Sequence, residues 1–180
     1  SGGWTGVITA GSALGSQSAT VTAVDTAGNP TTATATYWVG RNATLQPVSG
    51  TTTYRATTDD TTIPAVRIDA DSNVGDTNVT VGTAANNPTA DGLPNGTAVR
   101  YPQVETTLPN DNVTNATVVA AIQNETFTDR YVPPETVRFW AHNGTAWNRT
   151  EGTLRSRADG TSKYAINTTH FSAFAVAGTM

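Results

Sequence analysis

The sequence predicts an all-β fold, a sandwich whose strands are joined by hairpins. Three observations predict it. Short stretches of alternating small, β-branched and apolar residues run the length of the chain. Gly, Pro, Asn or Asp separates nearly all of them. Thr is the commonest residue, 36 of 180, and β-branched side chains fit a pleated, half-buried surface.

The strands follow in order. Residues 19–25 alternate and end at the turn cluster Thr26-Ala27-Gly28-Asn29-Pro30, after which residues 32–39 alternate again. The two form a hairpin. Further strands are expected at 43–48, 52–57, 64–69, 76–82, 97–106, 113–122, 135–141, 145–149, 153–157, 162–167 and 171–177. Asn143-Gly144 and Asp159-Gly160 read as two-residue hairpin tips, because such pairs tolerate positive φ. Asn95-Gly96 reads as a turn before 97–106. Residues 124–132 have room for a helical turn, which Pro133-Pro134 ends. Phe127, Tyr131, Phe139, Trp140, Trp147, Tyr164, Phe171 and Phe174 place most of the aromatic core after residue 125. The expected organisation is an N-terminal strand segment or hairpin at 1–41 and a β-sandwich domain at 42–180.

Composition excludes several functions. Hydrophobic residues make up 37% and charged residues 13%, below the roughly 45–50% and about 25% of ordinary soluble domains. Ten basic residues are scattered singly and the net charge is −4, so no basic stripe exists to bind nucleic acid. With no Cys, disulfides and thiolate metal sites are impossible. No apolar run is longer than Val118–Ile122, which is far too short for a membrane span. Ser1-Gly2-Gly3 reads as a mature or trimmed N-terminus.

The Asn positions carry the functional signal. Nine Asn-x-Thr triplets begin at Asn42, Asn78, Asn95, Asn112, Asn115, Asn124, Asn143, Asn148 and Asn167. Chance predicts roughly three to four, given how common Ser and Thr are, and each triplet uses Thr. The excess points to N-linked glycans and hence to an extracellular or cell-surface location. A Thr-rich chain making the triplet by accident is the plainer alternative.

Catalytic chemistry finds no support, and no catalytic residue is assigned. The only histidines are His142, expected to be exposed before a hairpin turn, and His170, expected to be structural. None of the four Glu residues has a marked partner for acid–base work. Asp69, Asp71 and Asn73 stand at positions 1, 3 and 5 of a loop, as oxygen ligands of calcium do. Positions 6 and 12 depart from that pattern, being Val74 and Thr80. An acidic solvated turn and a calcium site both remain open, and no other cofactor is expected.

Four segments resemble a known family. They are residues 95–107, NGTAVRYPQVETT; 108–119, LPNDNVTNATVV; 134–148, PETVRFWAHNGTAWN; and 164–177, YAINTTHFSAFAVA. Together they resemble the archaeal PGF-pre-PGF domain over about residues 76–178. That resemblance implies an exported archaeal surface protein without a catalytic site. The family's anchoring tail does not precede Met180, so anchoring is expected by other means, or release or assembly. Residues 15–39 resemble the last two strands of an immunoglobulin-like repeat, and the sandwich is accordingly expected to be immunoglobulin-like.

Residues 6–18 are rich in Gly, Ser and Ala around Val7-Ile8. Such a segment can add as a donor strand to a neighbouring subunit, and head-to-tail repetition gives a filament. A linker is the alternative. The functional expectation is a non-enzymatic, glycosylated structural subunit of an archaeal surface filament, sheath or envelope layer, with other copies of itself as partner. The alternative is an adhesion or carbohydrate-binding module built on Trp4, Trp38 or Trp147.

Overall fold

A computed structural model describes residues 15–84 and 86–179. The thirteen strands in them are β1 Gly15–Val24, β2 Pro30–Val39, β3 Arg41–Pro47, β4 Thr53–Thr57, β5 Ala65–Ala70, β6 Thr77–Ala84, β7 Thr97–Thr106, β8 Val113–Gln123, β9 Arg138–His142, β10 Trp147–Thr150, β11 Gly152–Ala158, β12 Thr161–Thr168 and β13 Phe174–Gly178. One helix, α1 Asn124–Asp129, occupies the stretch expected to turn. The all-β expectation therefore holds strand by strand.

Strands β3 to β13 form one antiparallel sheet in the order β10-β9-β13-β7-β6-β3-β4-β5-β8-β12-β11. The run β6-β3-β4-β5 is a Greek key, since β6 returns to lie beside the first of three hairpin-linked strands. Strand β3 is the corner. Its Arg41–Leu45 stretch pairs with β6, and Gln46-Pro47 then pairs with β4. The sheet thus folds over itself into two layers, the arrangement of sandwiches whose strands switch sheets. At the far side the layers meet again, where Asn167 N donates to Glu151 O at 2.9 Å. The result is a sandwich close to a barrel.

Alternation decides what lies inside. On β5, Val66 and Ile68 are buried while Arg67 faces water. On β6, Val79 and Val81 are buried while Asn78 is exposed. These join Leu45, Tyr54, Val104, Val118, Ile122, Ile166 and Phe174 in a single core. Removing such side chains from water is the main stabilising term, about 1.5–3 kcal/mol for each large one. Phe139 and Tyr164 meet across the layers with ring centroids 5.5 Å apart. Phe127 of α1 closes one end against Tyr164 at 6.2 Å.

The core is less skewed toward the C-terminus than expected. The aliphatic residues of β3 to β8 fill as much of it as the later aromatics. Tyr131 is not in it. It is 80% exposed, because the chain leaves α1 through a positive φ of 53° there and the ring is directed outward.

The turns separate into two kinds. Asp159 and Gly160 have φ of 50° and 71° and join β11 to β12 as a two-residue type I′ tip. The Asn143 turn is instead four residues long, since β9 ends at His142 and β10 begins at Trp147. Asn143 acts there through its side chain. Its Oδ1 accepts from Thr145 N at 3.1 Å and from Ala146 N at 2.9 Å, an Asx-turn.

Strands β1 and β2 form a separate two-stranded hairpin in continuous register from Gly15↔Val39 to Val24↔Pro30. Its tip is tied by Asp25, whose Oδ1 accepts from Ala27 N and Asn29 N at 2.9 and 2.8 Å. Trp38 lies at its base, over two glycines. A Cβ on Gly40 would come within 2.3 Å of the indole, and one on Gly82 within 2.9 Å. Both positions need Gly for that close approach. Residues 6–14 of the candidate donor segment, and Trp4, lie outside the described residues, whereas residues 15–18 pair within the chain to β2.

Candidate functional site

The nine acceptor asparagines are distributed by the pleat. Side chains two apart on a strand point the same way, so Asn and Thr of one triplet share a face. Asn42, Asn78, Asn95, Asn115, Asn124, Asn143 and Asn148 are exposed, Asn112 and Asn167 are half-buried, and none is buried. In each strand triplet, the middle residue faces the opposite way. Val79 and Ala116 are both at 0% exposure between an exposed Asn and its Thr.

Four of the acceptors meet in two pairs. In β3 and β6 the triplets 42–44 and 78–80 run antiparallel with Asn42↔Thr80, Ala43↔Val79 and Thr44↔Asn78. Each Asn thus faces the Thr of the other triplet, and Thr80 Oγ1 donates to Asn42 Oδ1 at 2.5 Å. In β8 and β12 two of these three rungs recur, Asn167↔Thr117 and Thr168↔Ala116, where β12 ends. Thr117 Oγ1 donates to Asn167 Oδ1 at 3.2 Å. The sequence displays every triplet but not their mutual registration, which is set by long-range pairing. Asn148 joins the second pair: a surface hollow of about 370 Å³ is lined by Asn115, Asn148 and Asn167 with Arg149, Glu151 and His170.

Asn95 and Asn143 are of another kind. Asn95 precedes Gly96, whose φ is 89°, at the entry to β7. A Cβ on Gly96 would sit 2.8 Å from Gly178 O. Asn143 is at the tip of the β9–β10 turn, and the hydroxyl of its own triplet, Thr145 Oγ1, donates to Asn143 Oδ1 at 2.9 Å. Asn124 opens α1, with Ser162 Oγ donating to its Oδ1 at 2.8 Å. Asn112 ends a short 3-10 turn, Asn110–Asn112, and its carbonyl accepts from Asp71 N.

The three oxygen-bearing residues of the acidic loop have different partners. Asp69 accepts from Thr53 Oγ1 at 2.6 Å and from Arg67 Nη2 at 2.9 Å. Burial raises its pKa, but hydrogen bonds from Thr53, Asn115 and Arg67 outweigh that and hold the carboxyl below its ordinary 3.8. Asp71 accepts from Ser72 Oγ. Asn73 Oδ1 accepts from the Tyr54 hydroxyl at 2.7 Å, and that hydroxyl accepts from Val74 N at 2.8 Å. Among the described residues, no three His, Cys, Asp or Glu side chains gather as metal ligands.

His142 is buried at 7% exposure, contrary to the expectation from its place before a turn. Both ring nitrogens have partners. Nε2 lies 2.8 Å from Asp91 Oδ2, and Nδ1 accepts from Gly144 N at 3.2 Å. The ring meets Trp147 edge-on at 5.1 Å. Trp147 Nε1 donates to Thr89 Oγ1 and Asp91 O at 3.1 and 3.0 Å. This clasp ties the segment before β7 to the β9–β10 hairpin. Ser172 Oγ reaches the backbone oxygen of His142 rather than its ring, so the three residues are not arranged as a nucleophilic triad. His170, the other histidine, is half-buried beside the Asn115–Asn167 hollow.

No family model, curated protein or solved structure matches the chain.

Proposed function

We propose that the protein is a non-enzymatic, N-glycosylated structural subunit of an archaeal surface filament, sheath or envelope layer, located outside the cell. The observation that carries this reading is the number of triplets, nine where chance predicts roughly three to four, with every acceptor Asn outside the core and seven of them exposed. The resemblance to the PGF-pre-PGF domain supports the archaeal surface setting. No helix among the described residues is long and apolar enough to cross a membrane.

Self-association draws its support from the sheet edges. The main sheet guards its own: β10 has four residues and carries Arg149, and β11 carries Arg155 and Arg157 and is bulged between Leu154 and Ser156. Short length, charge and bulges all discourage further pairing. The β1–β2 hairpin has ten-residue strands with no charged residue and no bulge. It also exposes Val21 and Val24. The adhesion alternative has weaker support, because Trp147 is buried and Trp38 is half-buried over Gly40 and Gly82.

Intact mass of the native protein, together with negative-stain imaging, tests the reading. Sugar on several triplets and regular fibres or sheets are expected. A mass equal to the bare chain, or discrete monomers that bind glycans, would overturn it.

A further inference from the structure

We infer that Asn42, Asn78, Asn115 and Asn167 accept sugar only before their strands pair, whereas Asn95 and Asn143 stay open to modification in the folded chain. This inference rests on the acceptor reading above and concerns when that reaction is possible at each position.

The reaction sets the requirement. Asn Nδ2 attacks the anomeric carbon of a lipid-linked glycosyl phosphate. The carbon–oxygen bond to phosphate breaks, the lipid phosphate leaves, an N–C bond forms, and one Nδ2 proton passes to a base of the transferase. An amide nitrogen is a poor nucleophile, so the enzyme must reorient the carboxamide. It must also engage the hydroxyl two residues on, which is why the motif has its fixed spacing.

In the two registered pairs the fold has already used these groups. Thr80 holds the carboxamide oxygen of Asn42, and Thr117 holds that of Asn167. The donated hydroxyl belongs in each case to the other triplet, so one contact occupies both motifs. The backbones are held as well. β6 lies between β3 and β7, β8 between β5 and β12, and β12 between β8 and β11. Asn78 O accepts from Thr107 N and Thr106 Oγ1, both at 3.1 Å. Asn115 Nδ2 donates to Asp69 Oδ2 at 3.4 Å. Asn78, Asn115 and Asn167 lie in strands paired on both sides, which open only in the rare, near-global unfolding events of a domain; Asn42 lies where β3 pairs with β6 alone, and presenting it means parting that pair.

At Asn143 the hydroxyl and carboxamide that meet belong to one triplet, at an exposed tip. Asn95 is exposed outside any strand, and its Thr97 is the first residue of β7, paired with Gly178 at the last rung of β13, so reaching it frays a strand end. Neither requires two inner strands to separate.

The test uses two unmodified full-length chains, the native sequence and an Ile68→Asp/Phe174→Asp variant. Both substituted side chains are at 0% exposure, and circular dichroism verifies that the variant is unfolded. Each is incubated with archaeal transferase membranes and lipid-linked donor, and site occupancy is followed by glycopeptide mass spectrometry. At the four paired positions, modification is expected to be at least about a hundredfold slower in the folded chain than in the variant. At Asn95 and Asn143 the two rates should agree within about threefold. Equal rates at the paired positions would overturn the inference while leaving the acceptor reading intact. A folded chain inert at Asn95 and Asn143 would overturn the second half. No sugar on any site of the unfolded variant would refute the acceptor reading itself, and the inference with it.

Discussion

Replacing Tyr54 with Phe removes a single oxygen from a buried position. The ring of Tyr54 is 1% exposed and packs in the core, so Phe fills the same volume. The hydroxyl donates to Asn73 Oδ1 at 2.7 Å and accepts from Val74 N at 2.8 Å. Asn73 is exposed, and water can replace its lost partner. Val74 is only half-exposed, and its N–H loses an acceptor. A donor left unsatisfied costs about 1–3 kcal/mol, and partial access to water places the expected loss near the lower end, about 1–2 kcal/mol. For a chain of this size that is a fall in Tm of about 2–8 °C. Urea unfolding should show a lower midpoint with an unchanged slope, because the exposed surface on unfolding is the same. Asn73→Ala alone should cost less, about 0.5 kcal/mol. The double variant should recover part of the sum, with a coupling of up to about 0.5 kcal/mol. A Tyr54→Phe protein melting within about 1 °C of the parent would refute the claim that this hydroxyl anchors the 71–76 loop.

Three further outcomes follow from the same contacts. Asp69 has a lowered pKa, so its stabilisation is complete above its ordinary 3.8 and lost as pH falls through that value and below. Asp69→Asn should cost about 1 kcal/mol at pH 7 and progressively less as pH falls below 3.8 by urea midpoints, and an equal cost throughout would show that the charge is irrelevant. Because Asp69, Asp71 and Asn73 have separate partners, adding a calcium chelator should leave Tm unchanged, while a drop of several degrees would place a cation in that loop. A Cβ at Gly152 would lie 2.2 Å from the buried Phe139 ring, so Gly152→Ala should destabilise by about 1–3 kcal/mol, and a neutral result by calorimetry would mean that β11 shifts freely.

Much of the fold was legible because its signals are local. Alternation and turn residues located the thirteen strands and the α-helix of the described residues. Asp159-Gly160 formed the expected two-residue tip because both residues adopt positive φ. Asn143-Gly144 marked a turn but not its length, since Asn143 acts through its carboxamide rather than through its backbone. His142 was misjudged because its environment is made by Asp91, more than fifty positions earlier in the chain. Tyr131 was misjudged because apolarity alone does not report the backbone direction at the end of α1.

The sequence by itself determined the β class, the order and approximate positions of the strands and the nine acceptor triplets, since each is written in a few adjacent residues. Tertiary structure alone decided that β3 turns the corner between the layers and that Asp91 clasps His142. It also decided that Asn42 faces Thr80 while Asn167 faces Thr117. Register is a property of two strands at once. It is fixed by which faces bury Val79, Ala116 and their neighbours, and no window of one strand contains that information.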